Sequence, residues 1–376
     1  MPLIEHHFLA EALGQRLRLV AAAGLFSADR LDDGTLLLLQ NLPSATAPRT
    51  LLDLGCGCGG LGLPIAAAHP TAKLLLVDRD LLAVRYAQRN AREHGLNNVI
   101  CAGSLGYRDV GSAPFDWILC NVPARIGRDA IAAFAKGGAA RLQSGGELRF
   151  VVIRDLGPVV AEVLAAQGLE GRRAAQSARH EVWAIAPRDG ACAPAEDDTI
   201  YLRDRVKVGD LELDRPADIS EDPGHQREGL PLLLSCLPSK PGARALVWRG
   251  GYGAVSRTLA RRGAKVLAAD RDLLALSFTG RNAQGTVELR PAATLEELAE
   301  PPFDTAVAEV QPAFGDAGAL QEWKALASRV RPGGTGVSLG PTRLVEAALR
   351  KGAADGHTKL ASHGGWTVVR LRVPAR

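Results

Sequence analysis

The 376-residue chain is expected to be an α/β protein of two tandem, doubly wound domains, and three observations lead there. Apolar runs of strand length alternate with helix-like runs, a pattern that calls for a mostly parallel sheet covered on both faces. A glycine-rich turn, DLGCGCGG, occupies Asp53–Gly60. One fourteen-residue phrase occurs twice, as DRDLLAVRYAQRNA from Asp78 to Ala91 and as DRDLLALSFTGRNA from Asp270 to Ala283.

The elements of the first half follow in order. The strand-like TLLDLG (Thr50–Gly55) meets the glycine turn and a helix-like run to His69. KLLLVD (Lys73–Asp78) leads into a helix through His94, with Gly95 where a helix C-cap favours glycine. FDWILC and ELRFVVI are two further strands, separated by the helix-like GRDAIAAFAKGGAARL. The second half repeats this order. DGTLLLLQNLP (Asp33–Pro43) aligns with EGLPLLLSCLP (Glu228–Pro238), FDWILCNVPA (Phe115–Ala124) with FDTAVAEVQPA (Phe303–Ala313), and LQSGGELRFVV (Leu142–Val152) with VRPGGTGVSLG (Val330–Gly340). Registered repeats of this kind mark a duplicated fold. Between them PRDGACAPAEDDT (Pro187–Thr199) has the composition of a linker. The expected division is a first domain at 1–189, a linker at 190–199 and a second domain at 200–376.

Apolar residues at 47% with 23% charged describe a soluble globular protein, and leucine runs such as Leu36–Leu39 are too short to span a bilayer. No membrane segment is expected. Leu17–Ala28 lacks the features of a signal peptide and reads as mature protein. The six cysteines form no CxxC pair, so a reducing, cytoplasmic setting is expected. The net charge of +4 admits an anionic partner such as RNA without demanding one. His6 and His7 lack a second ligand pair, and no metal site is expected. Cys120 reads as a small core residue rather than a nucleophile.

Asp53, Gly55, Gly57 and Gly59 give the spacing D-x-G-x-G-x-G at a strand-to-helix turn, where a backbone without side chains can bend tightly and approach a ligand. Asp78 ends the next strand, where a carboxylate accepts hydrogen bonds from both ribose hydroxyls. Asp80 reads as the N-cap of the following helix. This arrangement resembles the first motif of class I S-adenosylmethionine-dependent methyltransferases. The resemblance implies S-adenosylmethionine as cofactor, a Rossmann-like, mostly parallel seven-stranded sheet in each domain, and cofactor contacts from Arg79, Ser104 and Asn121 in addition to Asp53, the three glycines and Asp78.

GLFSADRLDDGTLLLLQNLP (Gly24–Pro43) is similar to the G-V-F-S, L-D-x-G-[ST] segment of the tandem-domain bacterial ribosomal RNA guanine-N2 methyltransferases. In that family one copy is catalytic and the other has lost its cofactor site. The family motif N-P-P-F-H-x-G is met here by NVPARIG, in which Asn121, Pro123 and Gly127 match and Val122, Ala124 and Arg125 depart. The resemblance implies that the Asn121 side-chain oxygen and the Val122 carbonyl accept hydrogen bonds from a target amine, with Pro123 and Arg125 in the same catalytic loop. Ala124 stands where the family has a base-stacking aromatic, and Arg125 offers a guanidinium plane or a phosphate contact in its place. Ser104 stands where relatives place an acid near the adenine amine. The arginines Arg125, Arg128, Arg149, Arg154, Arg172 and Arg173 form a basic rim or a solvated face.

The second copy sets Val247, Arg249, Gly251 and Gly253 against the acid and glycines, and Glu309 against Asn121. It is expected to be degenerate, with Asp270 solvated or capping. The intact copy in the family is usually C-terminal, the reverse of the order here. The leading expectation is methylation of guanine N2 in ribosomal RNA, with RNA or a ribosomal subunit as partner. Two other classes stay open: a methyltransferase of a small molecule or protein amide nitrogen, and a non-catalytic RNA-binding or assembly protein.

Overall fold

The computed structural model describes residues 4–43, 47–188, 197–217, 224–238, 240–310 and 312–373. The chain divides into two compact units, one of Glu5–Tyr201 and one whose main body begins at Leu202. Most of the linker expected at 190–199 lies outside the described residues. Its end does not: Asp198–Tyr201 forms a 3-10 turn, and Tyr201 is buried with its ring edge-on to Phe134 at 6.4 Å. An aromatic that finds an apolar slot carries the first unit past residue 189.

The first unit opens with a hairpin of β1 (Glu5–Ala12) and β2 (Gln15–Ala22), followed by α1 (Asp33–Gln40). Then come β3 (Thr50–Leu54), α2 (Gly62–Ala68), β4 (Lys73–Asp78), α3 (Leu81–Glu93), β5 (Val99–Gly103), β6 (Phe115–Asn121), α4 (Arg128–Ala139), β7 (Leu142–Ile153), α5 (Gly157–Gln167), β8 (Gly171–Gln176) and β9 (His180–Ile185). The seven-stranded sheet has the order β5-β4-β3-β6-β7-β9-β8, parallel from β5 to β7, with β9 antiparallel to both its neighbours. The strand order reverses between β3 and β6, so a crevice opens outside their carboxyl ends. Leu51, Leu52, Leu76, Ile118, Leu119 and Leu148 are fully buried. Strands covered on both faces require such continuous apolar runs, and truncating one of these leucines to alanine costs about 2–5 kcal/mol.

The second unit repeats the plan. A hairpin of β10 (Leu202–Val208) and β11 (Leu211–Pro216) precedes α6 (Leu230–Cys236), β12 (Arg244–Trp248), α7 (Ala254–Arg261), β13 (Lys265–Asp270), α8 (Leu273–Ala283), β14 (Val287–Pro291), β15 (Phe303–Glu309), α9 (Gly315–Ser328), β16 (Val330–Pro341), α10 (Thr342–Lys351), β17 (Thr358–His363) and β18 (Trp366–Leu371). Its sheet order, β14-β13-β12-β15-β16-β18-β17, is that of the first. Trp323 lies at the centre of its core, with Leu246, Phe303 and Leu326 in the same cluster. Among the described residues no helix is long and apolar enough to cross a membrane.

The duplicated phrase does the same structural work in both units. Asp80 and Asp272 each accept the N–H two residues on, at 2.9 Å, and so cap α3 and α8. Asn90 and Asn282 are buried clamps. The Asn90 amide exchanges hydrogen bonds with both backbone groups of Val20 on the hairpin and donates a third to the Cys58 carbonyl in the glycine turn, all at 2.9 Å. Asn282 does this with Asp214 and with Tyr252, at 2.7–2.8 Å.

Candidate active site

The glycine turn bends because three of its residues are left-handed: φ is 82° at Gly55, 55° at Gly57 and 97° at Gly59. The Gly55 and Cys56 N–H groups both donate to the Val77 carbonyl, at 2.8 and 3.0 Å, which ties the turn to the end of β4. Gly57 N–H donates to Asp78 Oδ2 at 2.8 Å, and Asp80 N–H to Asp78 Oδ1 at 2.8 Å. A Cβ at Gly59 would lie 2.5 Å from the Leu63 side chain, whereas one at Gly55 or Gly57 would meet nothing within 4 Å. The backbone there borders open space.

Asp53 and Asp78 lie under this turn. Asp53 is 1% exposed, and burial pushes its pKa up to about 7, with the Asp78 charge adding to the effect. The Gly62 N–H tempers this shift but is outside hydrogen-bond geometry, so neither Asp53 oxygen has a formed partner. Burial also raises Asp78, to about 6, against the pull of the Asp80 and Gly57 N–H donors and the Arg79 charge. Ser104 is held by its own loop: its hydroxyl donates to the Gly106 carbonyl at 2.9 Å and accepts from Asp109 N–H at 3.1 Å. Its backbone N–H donates to the Asp78 carbonyl at 2.9 Å. The hydroxyl therefore serves the turn first, and one lone pair is left for any further donor.

Asn121 is the last residue of β6. Its Nδ2 donates to Asp32 Oδ2 and to Thr35 Oγ1, each at 3.0 Å. Asp32 is also the N-cap of α1, with Oδ2 accepting from the N–H groups of Gly34 and Thr35 at 2.9 and 3.2 Å. Among the described residues Asn121 Oδ1 has no hydrogen-bond partner. The buried Val122 donates its N–H to the Val151 carbonyl at 3.0 Å, and its own carbonyl accepts no hydrogen bond among the described residues. Pro123 accepts from Ile126 N–H at 3.2 Å, closing a tight turn in which Pro123, Ala124 and Arg125 are exposed. Arg125 has no ion pair among the described residues, while Arg128, Arg149 and Arg173 are paired with Glu162, Glu147 and Glu181. The basic rim is thus partly neutralised within the unit.

Sequence reasoning missed Asp32, Thr35 and His180. A Cβ at Gly34 would lie 2.9 Å from Asp32 Oδ2 and 3.1 Å from the His180 ring, which explains the glycine in the L-D-x-G-[ST] segment. The Asp-x-Gly-Thr run ahead of leucines is a readable N-cap signal, but its reach to Asn121 is tertiary. His180 Nδ1 is buried without a hydrogen-bond partner among the described residues. Cys120 is 1% exposed and burial pushes its thiol pKa up, as suits a core residue. The five described cysteines are free. His6 and His7 are exposed, and no group of metal ligands occurs among the described residues.

At the matching place in the second unit, Arg249 adopts a glycine-like φ of 53° and donates its N–H to the Ala269 carbonyl at 2.9 Å. Its guanidinium is buried. It donates to the Glu309 carbonyl at 3.0 Å, lies 3.2 Å from Glu322 Oε1 and 5.8 Å from the Phe314 ring centroid. Glu309, the counterpart of Asn121, faces His225 Nε2 at 2.7 Å. Of the two expectations for Asp270, solvated or capping, the first is corrected: it is buried, burial raises its pKa to about 7, and its Oδ1 accepts from Asp272 N–H at 3.0 Å just ahead of α8.

The family model "Methyltransferase small domain" matches residues 16–180. Ribosomal RNA small subunit methyltransferase C of Hahella chejuensis is 37% identical over 153 residues, 39% of this chain and 44% of that one. The uncharacterized protein YbxB of Bacillus subtilis is 32% identical over 136 residues, 36% of this chain and 68% of that one. The chain spans less than half the length of the ribosomal RNA methyltransferase C relatives it matches first. Among solved structures, T. thermophilus 16S rRNA N2 G1207 methyltransferase in complex with AdoMet and guanosine aligns over 98% of each chain with a TM-score of 0.70 at 19% identity, a likeness of fold. With the model covering the glycine turn, β6 and Asn121, and with YbxB matched over two thirds of its length, this chain belongs to the small-domain methyltransferase family.

Proposed function

We propose that the protein is an S-adenosylmethionine-dependent methyltransferase whose first unit methylates an exocyclic amine, guanine N2 of ribosomal RNA. One observation carries the reading: at the end of β6 the Asn121 Oδ1 and the Val122 carbonyl are adjacent acceptors without partners among the described residues. An exocyclic amine brings two N–H donors, and two fixed acceptors suit it. The names of the relatives, ribosomal RNA methyltransferases, agree with RNA as substrate.

Asp53, the turn from Gly55 to Gly59 and Asp78 with Arg79 would hold the cofactor. Open space beside Gly55 and Gly57 and a buried Asp53 carboxylate without a formed partner fit a ligand that carries cationic groups. When bound, the cofactor supplies an electrophilic methyl group on a sulfonium. Asp78 spends one oxygen on Gly57 and the other on Asp80, and an ionised carboxylate retains capacity for ribose hydroxyls. Asn121 and Val122 would turn the amine's lone pair toward the methyl donor and stabilise the positive charge that develops on nitrogen. The second unit would bind no cofactor, since Val247 and Arg249 stand in place of Asp53 and Gly55 and Glu309 in place of Asn121, and would serve stability or RNA docking.

Ala124 favours the second reading, a small molecule or protein amide as acceptor, because base stacking is worth about 1–3 kcal/mol and alanine supplies none. Against this, Arg125 offers a plane or a cation for RNA. The third reading, a binding protein without catalysis, requires that no cofactor binds. The protein would act in the cytoplasm on RNA or a ribosomal subunit. The test is to incubate it with S-adenosylmethionine and ribosomal RNA or subunits from a deletion strain, then examine the nucleosides by mass spectrometry. N2-methylguanosine supports the reading. Methylation of protein but not RNA supports the second, and failure to bind cofactor the third.

A further inference from the structure

We propose that Asp32 and Thr35 are positioning residues for methyl transfer: they take both amide protons of Asn121 and so leave its Oδ1 as the acceptor presented to the substrate. This rests on the function proposed above. A primary amide has two N–H donors and one oxygen, and a wrong flip at a strand end would present the donors to an incoming amine. Here the flip is dictated chemically. Asp32 as a carboxylate only accepts, so the amide nitrogen has to face it; turning the amide over would set two oxygens against each other. The hydroxyl of Thr35 takes the second proton, at the same 3.0 Å.

Asp32 is itself immobilised. The same Oδ2 that meets Asn121 is held by the N–H groups of Gly34 and Thr35 in the first turn of α1. Gly34 keeps that turn free of a Cβ that would crowd Asp32 Oδ2 and the His180 ring. The segment Leu31–Thr35 therefore contributes more than a helix start. Capping alone needs only a short polar side chain at position 32, whereas the reach across 89 residues of sequence to Asn121 is additional. Charge-assisted hydrogen bonds are the stronger kind, which suits a device that holds one side chain in one orientation.

The variant Asp32→Ser keeps a good N-cap but is shorter, Asp32→Asn keeps an acceptor of the original length, and Thr35→Val removes the hydroxyl at constant shape. With RNA as substrate, Asp32→Ser should lower kcat about tenfold or more while the cofactor Kd and the RNA KM stay within about threefold. Asp32→Asn should recover most of the rate. In an Asn121→Ala background Asp32→Ser should have no further effect, the signature of action through Asn121. An equal loss in both backgrounds would overturn the proposal.

Hydrogen exchange of the Asn121 side-chain amide, observed by NMR on asparagine-labelled protein and assigned by its disappearance in Asn121→Ala, gives a readout independent of activity. Exchange should accelerate at least about tenfold in Asp32→Ser and in Thr35→Val. Unchanged exchange in both overturns the positioning role even if the enzyme is active. Accelerated exchange in a protein that methylates nothing would leave the positioning intact and sink the proposed function instead.

Discussion

The two units share a backbone plan, a strand order and a fourteen-residue phrase, yet they treat the crevice at the switch point oppositely. In the first, Gly55 borders open space, Asp78 accepts a hydrogen bond from the glycine turn, and Asn121 is turned by Asp32 and Thr35. In the second, Arg249 stands in Gly55's place, reaches over to the Glu309 carbonyl and faces Glu322. The contrast separates retained positions from replaced ones. Asp80, Asn90 and their counterparts Asp272 and Asn282 persist because caps and clamps are needed in any working copy of the fold. Asp53, Gly55 and Asn121 give way to Val247, Arg249 and Glu309, whereas Gly57 and Gly59 persist as Gly251 and Gly253 with the same left-handed φ, so the replaced positions are the ones the proposed function assigns to a ligand.

The largest expected effect tests whether Arg249 holds its unit together. Arg249→Gly relieves the left-handed φ but removes a buried cation facing Glu322, and breaking such a pair costs about 3–5 kcal/mol. Thermal unfolding should show the second unit destabilised. Calorimetry should still find one cofactor site per chain, because Glu309 and Val247 remain; two sites in this variant would make the difference between the units a matter of one residue.

Next is Asn121→Ala, for which turnover on RNA should fall about 10²–10³-fold, the scale for one oriented polar group. Cofactor affinity, measured by titration, should change by no more than a few-fold. Unchanged turnover would remove Asn121 from the mechanism.

Asp53 predicts a pH effect on stability. Its folded pKa, about 7, lies above the ordinary carboxylate value, so the folded chain retains a proton that the unfolded chain has released. The associated stability is fully present below about pH 4 and is lost as pH rises through about 7, on the order of 2–4 kcal/mol for that shift. Denaturant titrations of wild type and Asp53→Asn over this range should show a shallower decline in the variant. Parallel curves would mean that Asp53 is ionised at little cost.

The smallest effect compares the duplicated acids. Asp78→Ala should weaken cofactor binding by about 1.5–3 kcal/mol, the value of a hydrogen-bonded charged group, and Asp270→Ala should leave it unchanged. Equal losses would mean that the second unit contributes to cofactor binding.

Much of this was legible in the sequence for physical reasons. Strands buried on both faces need unbroken apolar runs, and left-handed turns need glycines, so the sheets and the Asp53–Gly59 turn announce themselves locally. The partner of Asn121 does not, since Asp32 lies on another element and only folding joins the two. Ser104 was readable as a polar residue near β5, but its hydrogen bonds to Gly106 and Asp109 arise from the path of its own loop. Asp270 was misjudged because its burial depends on the elements that fold over β13, which a charged residue at a strand end does not disclose.

Arg249 keeps the φ of a glycine and the turn's hydrogen bond to the neighbouring strand, although it is an arginine. The main chain of the second turn thus keeps the shape of the first, and a search that recognises such loops from Cα traces would count two in this molecule. What the trace omits is the side chains, Val247, Arg249 and Glu309 in place of Asp53, Gly55 and Asn121. In duplicated folds, therefore, stoichiometry has to be judged from the side chains around the loop, since its curvature alone does not tell one copy from the other.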